Sequence, residues 1–127
     1  MSTTRTAVTT GRIAPPVGPF SPAILVDETL YLSGQVAQDP ATGRLVTGDV
    51  GRQTEQILAN ASAVLEAAGK TFADVVRVGV FLTDIRDFQA MNGVYARFFQ
   101  APYPARTTVA VAALPLGAAV EIDLVAR

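Results

Sequence analysis

Residues able to do chemistry are sparse in this chain, and one of them stands apart. From Phe98 to the C-terminus only Arg106, Glu121, Asp123 and Arg127 carry charge. Arg106 therefore sits in a nearly uncharged, strand-like run, Tyr103-Pro104-Ala105-Arg106-Thr107-Thr108-Val109-Ala110-Val111. A guanidinium keeps its charge at any accessible pH and presents a planar fork of donors. On a half-buried sheet it needs a carboxylate, from the protein or from a ligand. Residue types alone leave two readings open. Arg106 and Glu121 form a cross-strand ion pair, worth about 1 kcal/mol or less when exposed, or Arg106 receives the carboxylate of a small acid.

Composition narrows the chemistry further. The 127 residues include no histidine and no cysteine. Disulfides, thiolate nucleophiles, histidine-based triads and most transition-metal sites are excluded, and acid/base work falls to carboxylates, Lys70 or tyrosines. Ten basic residues against eleven acidic ones give a net charge of -1, and the basic ones are scattered from Arg5 to Arg127 without a run. Neither nucleic acid nor a membrane is an expected partner. Met1-Ser2-Thr3-Thr4-Arg5 lacks the apolar stretch of a signal peptide. The longest uncharged apolar run, Thr107 to Val120, holds Pro115 and Gly117 and is too short to span a bilayer. One soluble, cytoplasmic domain over residues 1–127 is expected. Half the residues are hydrophobic and only 17% are charged, so part of the surface is expected to be hidden by other subunits.

Residue periodicity shows which elements must position these groups. Residues 5–9 read as a short strand, and the glycines and prolines from Gly11 to Pro22 read as a shaped loop carrying Phe20, which either caps the core or walls a pocket. Residues 23–26 and 30–36 read as a hairpin around Asp27-Glu28-Thr29, with a bulge or close backbone approach at Gly34. Asp39-Pro40-Ala41-Thr42-Gly43 is a turn. From about Asp49 to Ala68 the period becomes helical. Ile57, Leu58, Ala61, Val64, Leu65 and Ala68 share a stripe, Gln53, Gln56, Asn60 and Glu66 lie off it, and Gly69 supplies a left-handed cap. A β-branched strand spans 75–82, with Val76, Val78, Val80 and Leu82 on one face. Asp84 is the expected N-cap of a second helix that carries Phe88, Met91, Asn92, Tyr95, Phe98 and Phe99 on one face and ends before Pro102. Asn92 there is either a satisfied core amide or one reaching a ligand.

Strands at 106–112 and 120–124 complete the chain. The pattern predicts one mixed sheet with two helices on one face. If Thr107, Val109 and Val111 cover the helices, as Val120, Ile122 and Leu124 do, then Arg106, Thr108, Glu121 and Asp123 share the helix-free face, where Ser33 joins them.

Several stretches also match a known family in order and spacing. They are Gly18-Pro19-Phe20-Ser21, Ser33-Gly34-Gln35, Thr42-Gly43, Ala67-Ala68-Gly69, the run from Asp84 through Asp87, Phe88, Asn92 and Tyr95 to Phe98-Phe99, and Pro104-Ala105-Arg106 followed by Val120-Glu121-Ile122. Nearly end to end the chain resembles the RidA/YjgF family of imine deaminases. The resemblance implies an α+β, chorismate-mutase-like fold, a mixed sheet with two helices on one face. It implies a homotrimer around a central barrel, with active clefts between subunits. It implies hydrolysis of 2-imino acids, or of their 2-aminoacrylate enamine precursors, to 2-oxo acids and ammonia, with no metal and no cofactor. Arg106 matches the family arginine that grips the substrate carboxylate, and Glu121 the carboxylate that activates water. Main-chain groups near Gly34 and Thr108 would line the cleft, with Ser33 and Asn92 supporting it and Phe20 as a wall.

Two positions depart from the family pattern. Phe20 stands where many members have tyrosine, so a phenol is lost and the apolar wall remains. Thr108 stands where many have cysteine. A second reading, favoured by Phe20, is a non-catalytic protein that binds a 2-oxo acid in the same cleft. Ribonuclease activity, reported for some relatives, is disfavoured by the lack of histidine and of a basic patch.

Overall fold

A computed structural model describes residues 4–127; Met1, Ser2 and Thr3, on which the expectation about a signal peptide partly rests, lie outside the described residues. Six strands and two main helices follow in the order β1 (Arg5–Val8), β2 (Ala23–Val26), β3 (Thr29–Gln35), α1 (Val50–Ala67), β4 (Val75–Leu82), α2 (Phe88–Tyr95), β5 (Ala105–Ala110) and β6 (Val120–Ala126). They form one mixed sheet in the order β1-β2-β3-β6-β4-β5, in which only β4 and β5 run parallel. The C-terminal strand thus slots into the middle of the sheet. It separates β3 from β4, the two strands that α1 joins.

Local chemistry accounts for the ends of α1. The Asp49 carboxylate accepts the Arg52 amide at 3.0 Å, which satisfies one of the free donors of the first turn. At the far end Gly69 takes φ +73°, and the amides of Gly69 and Lys70 donate back to Glu66 and Leu65. Ile57, Leu58, Ala61, Val64 and Leu65 are fully buried against the sheet, as the stripe predicts. Opposite them lie Leu30, Val78, Val80, Ile122 and Leu124. Shortening Ile57 or Leu58 to alanine would cost about 2–5 kcal/mol.

Three details differ from the periodicity. Gln53 and Asn60, placed off the stripe, are buried because each straps a loop to α1. The Gln53 carbonyl oxygen accepts the Ala119 amide at 2.9 Å, and the Asn60 amide donates to the Gln38 carbonyl at 2.8 Å. Val76 is exposed rather than inward, since a register shift between Val75 and Arg77 turns Val75 into the core instead. The second helix is shorter than expected. Asp84 does cap, accepting the Arg86 amide at 2.9 Å, but it caps a single tight turn, Ile85–Asp87, that leads into α2. After Tyr95 the chain tightens into i to i−3 bonds, so Phe98 and Phe99 lie beyond the helix, where they meet Phe72 edge-on.

The face away from the helices is open and mostly apolar, with Arg77 and Asp123 among its residues. Tyr31, Phe81, Val109 and Val125 lie along it, with Tyr31 51% and Val109 40% exposed.

Candidate active site

The expected site residues fall into two groups, on opposite faces of the sheet. Strand β6 behaves as predicted. Val120, Ile122 and Leu124 point into the core, so Glu121 and Asp123 point to the open face, opposite Phe81 and Gly79 of β4. Strand β5 is reversed with respect to expectation. Its parallel register pairs Arg106 with Val78 and Thr108 with Val80, both buried on the helix side. Arg106 and Thr108 therefore do not share a face with Glu121 and Asp123. The alternation along β5 is as read, but the apolar set of this edge strand, with Thr107 and Val109, covers the open face and not the helices. A cross-strand ion pair between Arg106 and Glu121 within one chain is excluded by this placement.

On the helix side, Arg106 rests on aromatic rings. Its guanidinium carbon lies 4.7 Å from the centre of the Tyr95 ring and 5.6 Å from that of Phe88. Phe88, Asn92 and Tyr95 are spaced i, i+4 and i+7, so one stripe of α2 brings Asn92 alongside the two rings. Tyr95 is held from behind by Phe99, stacked at 4.3 Å. Burial pushes the Tyr95 phenol up, and the neighbouring Arg106 charge opposes that shift. Among the described residues Arg106 has no carboxylate partner. Three buried oxygens nearby in the fold, Asn92 Oδ1, Tyr95 OH and Thr108 Oγ1, also lack a hydrogen-bond partner. Buried polar atoms are seldom left so. A guanidinium without a carboxylate partner is what a carboxylate-bearing ligand would complete.

On the other side, Glu121 closes one end of a cleft of about 190 Å³. Phe20, Ile13, Val17, Leu116 and the backbone of Gly34 line it. Gly34 is required there by contact. A Cβ at that position would come within 2.7 Å of Glu121 Oε2, so the missing side chain is what lets the carboxylate lie against the strand. The bulge expected at Gly34 is present as a register shift between Leu32 and Gln35. Burial pushes the Glu121 carboxyl up from its ordinary value, and the Asp123 charge two residues on adds to the effect. A carboxylate made more basic in an apolar cleft is suited to take a proton from water.

Ser33 holds the loop that walls the cleft. Its hydroxyl donates to the Ser21 carbonyl at 2.6 Å and its amide to the Pro22 carbonyl at 3.0 Å, which ties β3 to the segment that carries Phe20. Phe20 is 49% exposed and walls the cleft instead of capping the core.

Sequence reading assigned no role at the site to Tyr95, Phe88, Gln53 or Leu116. Phe88 and Tyr95 were legible as helix-face aromatics, and only the Arg106 contact separates them from core residues. Gln53 acts at a distance, holding Ala119 just before Glu121.

Comparisons with known proteins identify the family and the fold. The profile of the endoribonuclease L-PSP family matches residues 11–127. A goat (Capra hircus) protein named 2-iminobutanoate/2-iminopropanoate deaminase is 46% identical over 125 residues, which is 98% of this chain and 91% of the goat protein. The human protein of the same name is 43% identical over 122 residues, 96% of this chain and 89% of its own length. Among solved structures, RidA from an Antarctic Psychrobacter superimposes with a TM-score of 0.92 at 42% identity, covering 96% of this chain and 98% of that one. TdcF from E. coli, solved with bound serine, superimposes at 0.90 and 35% identity, covering 95% and 97%. Matched over residues 11–127 by the family profile and over nearly its whole length by these relatives and solved structures, the chain belongs to the endoribonuclease L-PSP, or RidA/YjgF, family.

Proposed function

We propose that this protein hydrolyses 2-imino acids, and the enamines that precede them, to 2-oxo acids and ammonia. One observation carries the reading. The chain presents an unpaired guanidinium on one face of its sheet and a basic carboxylate in an apolar cleft on the other. Neither half makes a site alone. Copies arranged in a ring bring the Arg106 face of one to the Glu121 cleft of the next, and a homotrimer closed over the apolar open face is the assembly that fits. The relatives named as deaminases support the reaction class, and the serine bound to the E. coli relative supports a small α-amino acid skeleton in this fold.

In the reaction, Arg106 takes the substrate carboxylate through two charge-assisted bonds, contributing about 1.5–3 kcal/mol and fixing its orientation. Asn92 and Thr108 stand on the same side of the sheet as Arg106 and support the site from behind it. Glu121 removes a proton from a water whose oxygen bonds to the C=N carbon. The C=N double bond opens to a single bond as the first proton passes to the nitrogen, giving the tetrahedral carbinolamine; the hydroxyl's remaining proton then moves to the nitrogen by way of Glu121, the C–N bond breaks, and ammonia leaves with a C=O bond in its place. No electron is transferred, so the step needs no redox partner. A cytoplasmic setting, where pyridoxal-phosphate enzymes release such imines, belongs to the same reading.

A test generates 2-aminoacrylate in situ with a pyridoxal-phosphate dehydratase and follows 2-oxo acid release. Acceleration by the wild type that is lost in Arg106→Ala is the expected result. Phe20 favours a second reading, a sensor of 2-oxo acids, because the wall beside Glu121 has no phenol. Saturable binding of a 2-oxo acid without turnover, with turnover gained in Phe20→Tyr, would select it.

A further inference from the structure

The cleft beside Glu121 has a character that water activation does not require. Three of the large apolar side chains most exposed in this chain converge on it, with Val17 84%, Leu116 55% and Phe20 49% exposed. Ile13 and Pro115 extend the same lining. Leu116 is held at φ 61°, the left-handed region where glycine or asparagine is ordinarily found, so a bulky apolar group stands at the mouth against its backbone preference. Glu121 is the only charged residue of the lining. The polar head of Gln38, also in the lining, is already engaged, donating to the Gly43 carbonyl at 3.0 Å. The volume, about 190 Å³, far exceeds the ~30 Å³ that one water occupies in the liquid and matches apolar cavities of about 150 Å³ that accept a benzene ring.

The geometry of the reaction says what fills it. Water held by Glu121 attacks the imine carbon, so that carbon lies next to the cleft. Of its other two substituents, the carboxylate goes to Arg106. We propose that the cleft is the side-chain subsite, and that it selects 2-imino acids whose side chain is apolar and larger than methyl, of the size carried by leucine, methionine or phenylalanine. An acidic side chain is rejected, because it would set a second negative charge beside Glu121 in apolar surroundings. This inference rests on the deaminase reading and adds the substrate class to it.

The test is a series of imines generated by an amino-acid oxidase from alanine, 2-aminobutyrate, leucine, methionine, phenylalanine and glutamate, with kcat/KM measured for each. Each buried methylene favours binding about fourfold, so kcat/KM rises roughly 10- to 60-fold from the alanine-derived to the leucine-derived imine and falls for the glutamate-derived one. In Leu116→Asn, whose new residue tolerates the same backbone angle, the rise is flattened severalfold. Turnover that is equal across the series, or highest for the alanine-derived imine, overturns the subsite and leaves the deaminase standing. It would mean that a neighbouring copy covers Val17 and Leu116. If no imine is turned over, the deaminase reading fails instead, and calorimetric affinities for the matching 2-oxo acids decide the subsite by the same criterion. Affinity that climbs with apolar size upholds it, and a flat series overturns it.

Discussion

Because Arg106 and Glu121 lie on opposite faces of one sheet, two inactive variants are expected to repair each other. Arg106→Ala keeps the Glu121 cleft and loses the anchor, while Glu121→Gln keeps the anchor and loses the base. Alone, Arg106→Ala is expected to lose roughly 10- to 150-fold in kcat/KM, the equivalent of a charge-assisted pair, and Glu121→Gln about 10²- to 10⁴-fold, the contribution of a positioned general base. In the proposed ring each cleft would take its arginine from one copy and its glutamate from the next. When the two variants are unfolded together in equal amounts and refolded, about half of the clefts receive an intact arginine, and about half of those an intact glutamate. Roughly one quarter of wild-type activity therefore returns, whatever the number of copies in the ring. The converse mixture gives a second measure. Wild type refolded with an equal amount of the double variant is expected to lose about half of its activity, since half of its intact faces now meet a dead one. The assay is release of 2-oxo acid from an imine generated in situ, at fixed total protein, before and after mixing. A mixture that stays at the mean of its two parents would refute the composite site and return both groups to a single chain.

Four further outcomes follow from the same geometry. Glu121→Gln is expected to raise the thermal midpoint at neutral pH while activity falls. Burial and the Asp123 charge raise the folded-state pKa of Glu121, so its ionisation costs stability as pH rises from the unfolded carboxylate value through the folded one, and glutamine removes that cost. The acid limb of the pH–rate profile then lies above the ordinary carboxylate range and moves down in Asp123→Asn; an unmoved limb would dissociate Glu121 from the rate. Gly34→Ala is expected to cost activity with little change in stability, since the new Cβ meets only the movable end of Glu121, at 2.7 Å, and loss of folding instead would show that the strand itself cannot take a side chain. Arg106→Ala leaves no carboxylate orphaned and loses contact with two rings, so the stability loss is about 0.5–2 kcal/mol by chemical denaturation. A loss above about 4 kcal/mol would make Arg106 a clamp between β5 and α2 rather than an anchor.

Much of the fold was legible in the sequence because local chemistry wrote it. The Asp49 cap, the α1 stripe, the Gly69 exit and the β2–β3 hairpin each depend on residues within one or two turns of one another. The bulge at Gly34 and the two-residue alternation of β6 were readable for the same reason. Strand β5 shows where that stops. Its alternation was correct and its direction was not, because Thr107 and Val109 are as apolar as a core face demands. An edge strand whose outer face is also to be covered carries no mark of which side meets the helices. The proposed site residues were likewise singled out from sequence, through an isolated arginine, a strand glutamate and motifs in family order. Their separation was not. It arises from insertion of β6 between β3 and β4 and from the parallel pairing of β5 with β4, both contacts between segments far apart in the chain. Residue types by themselves determined that this protein has an isolated strand guanidinium and a strand carboxylate to work with. Only the tertiary structure decided that they stand on opposite faces, because a strand's side-chain period sets which residues travel together and the register against its neighbours sets which way they point.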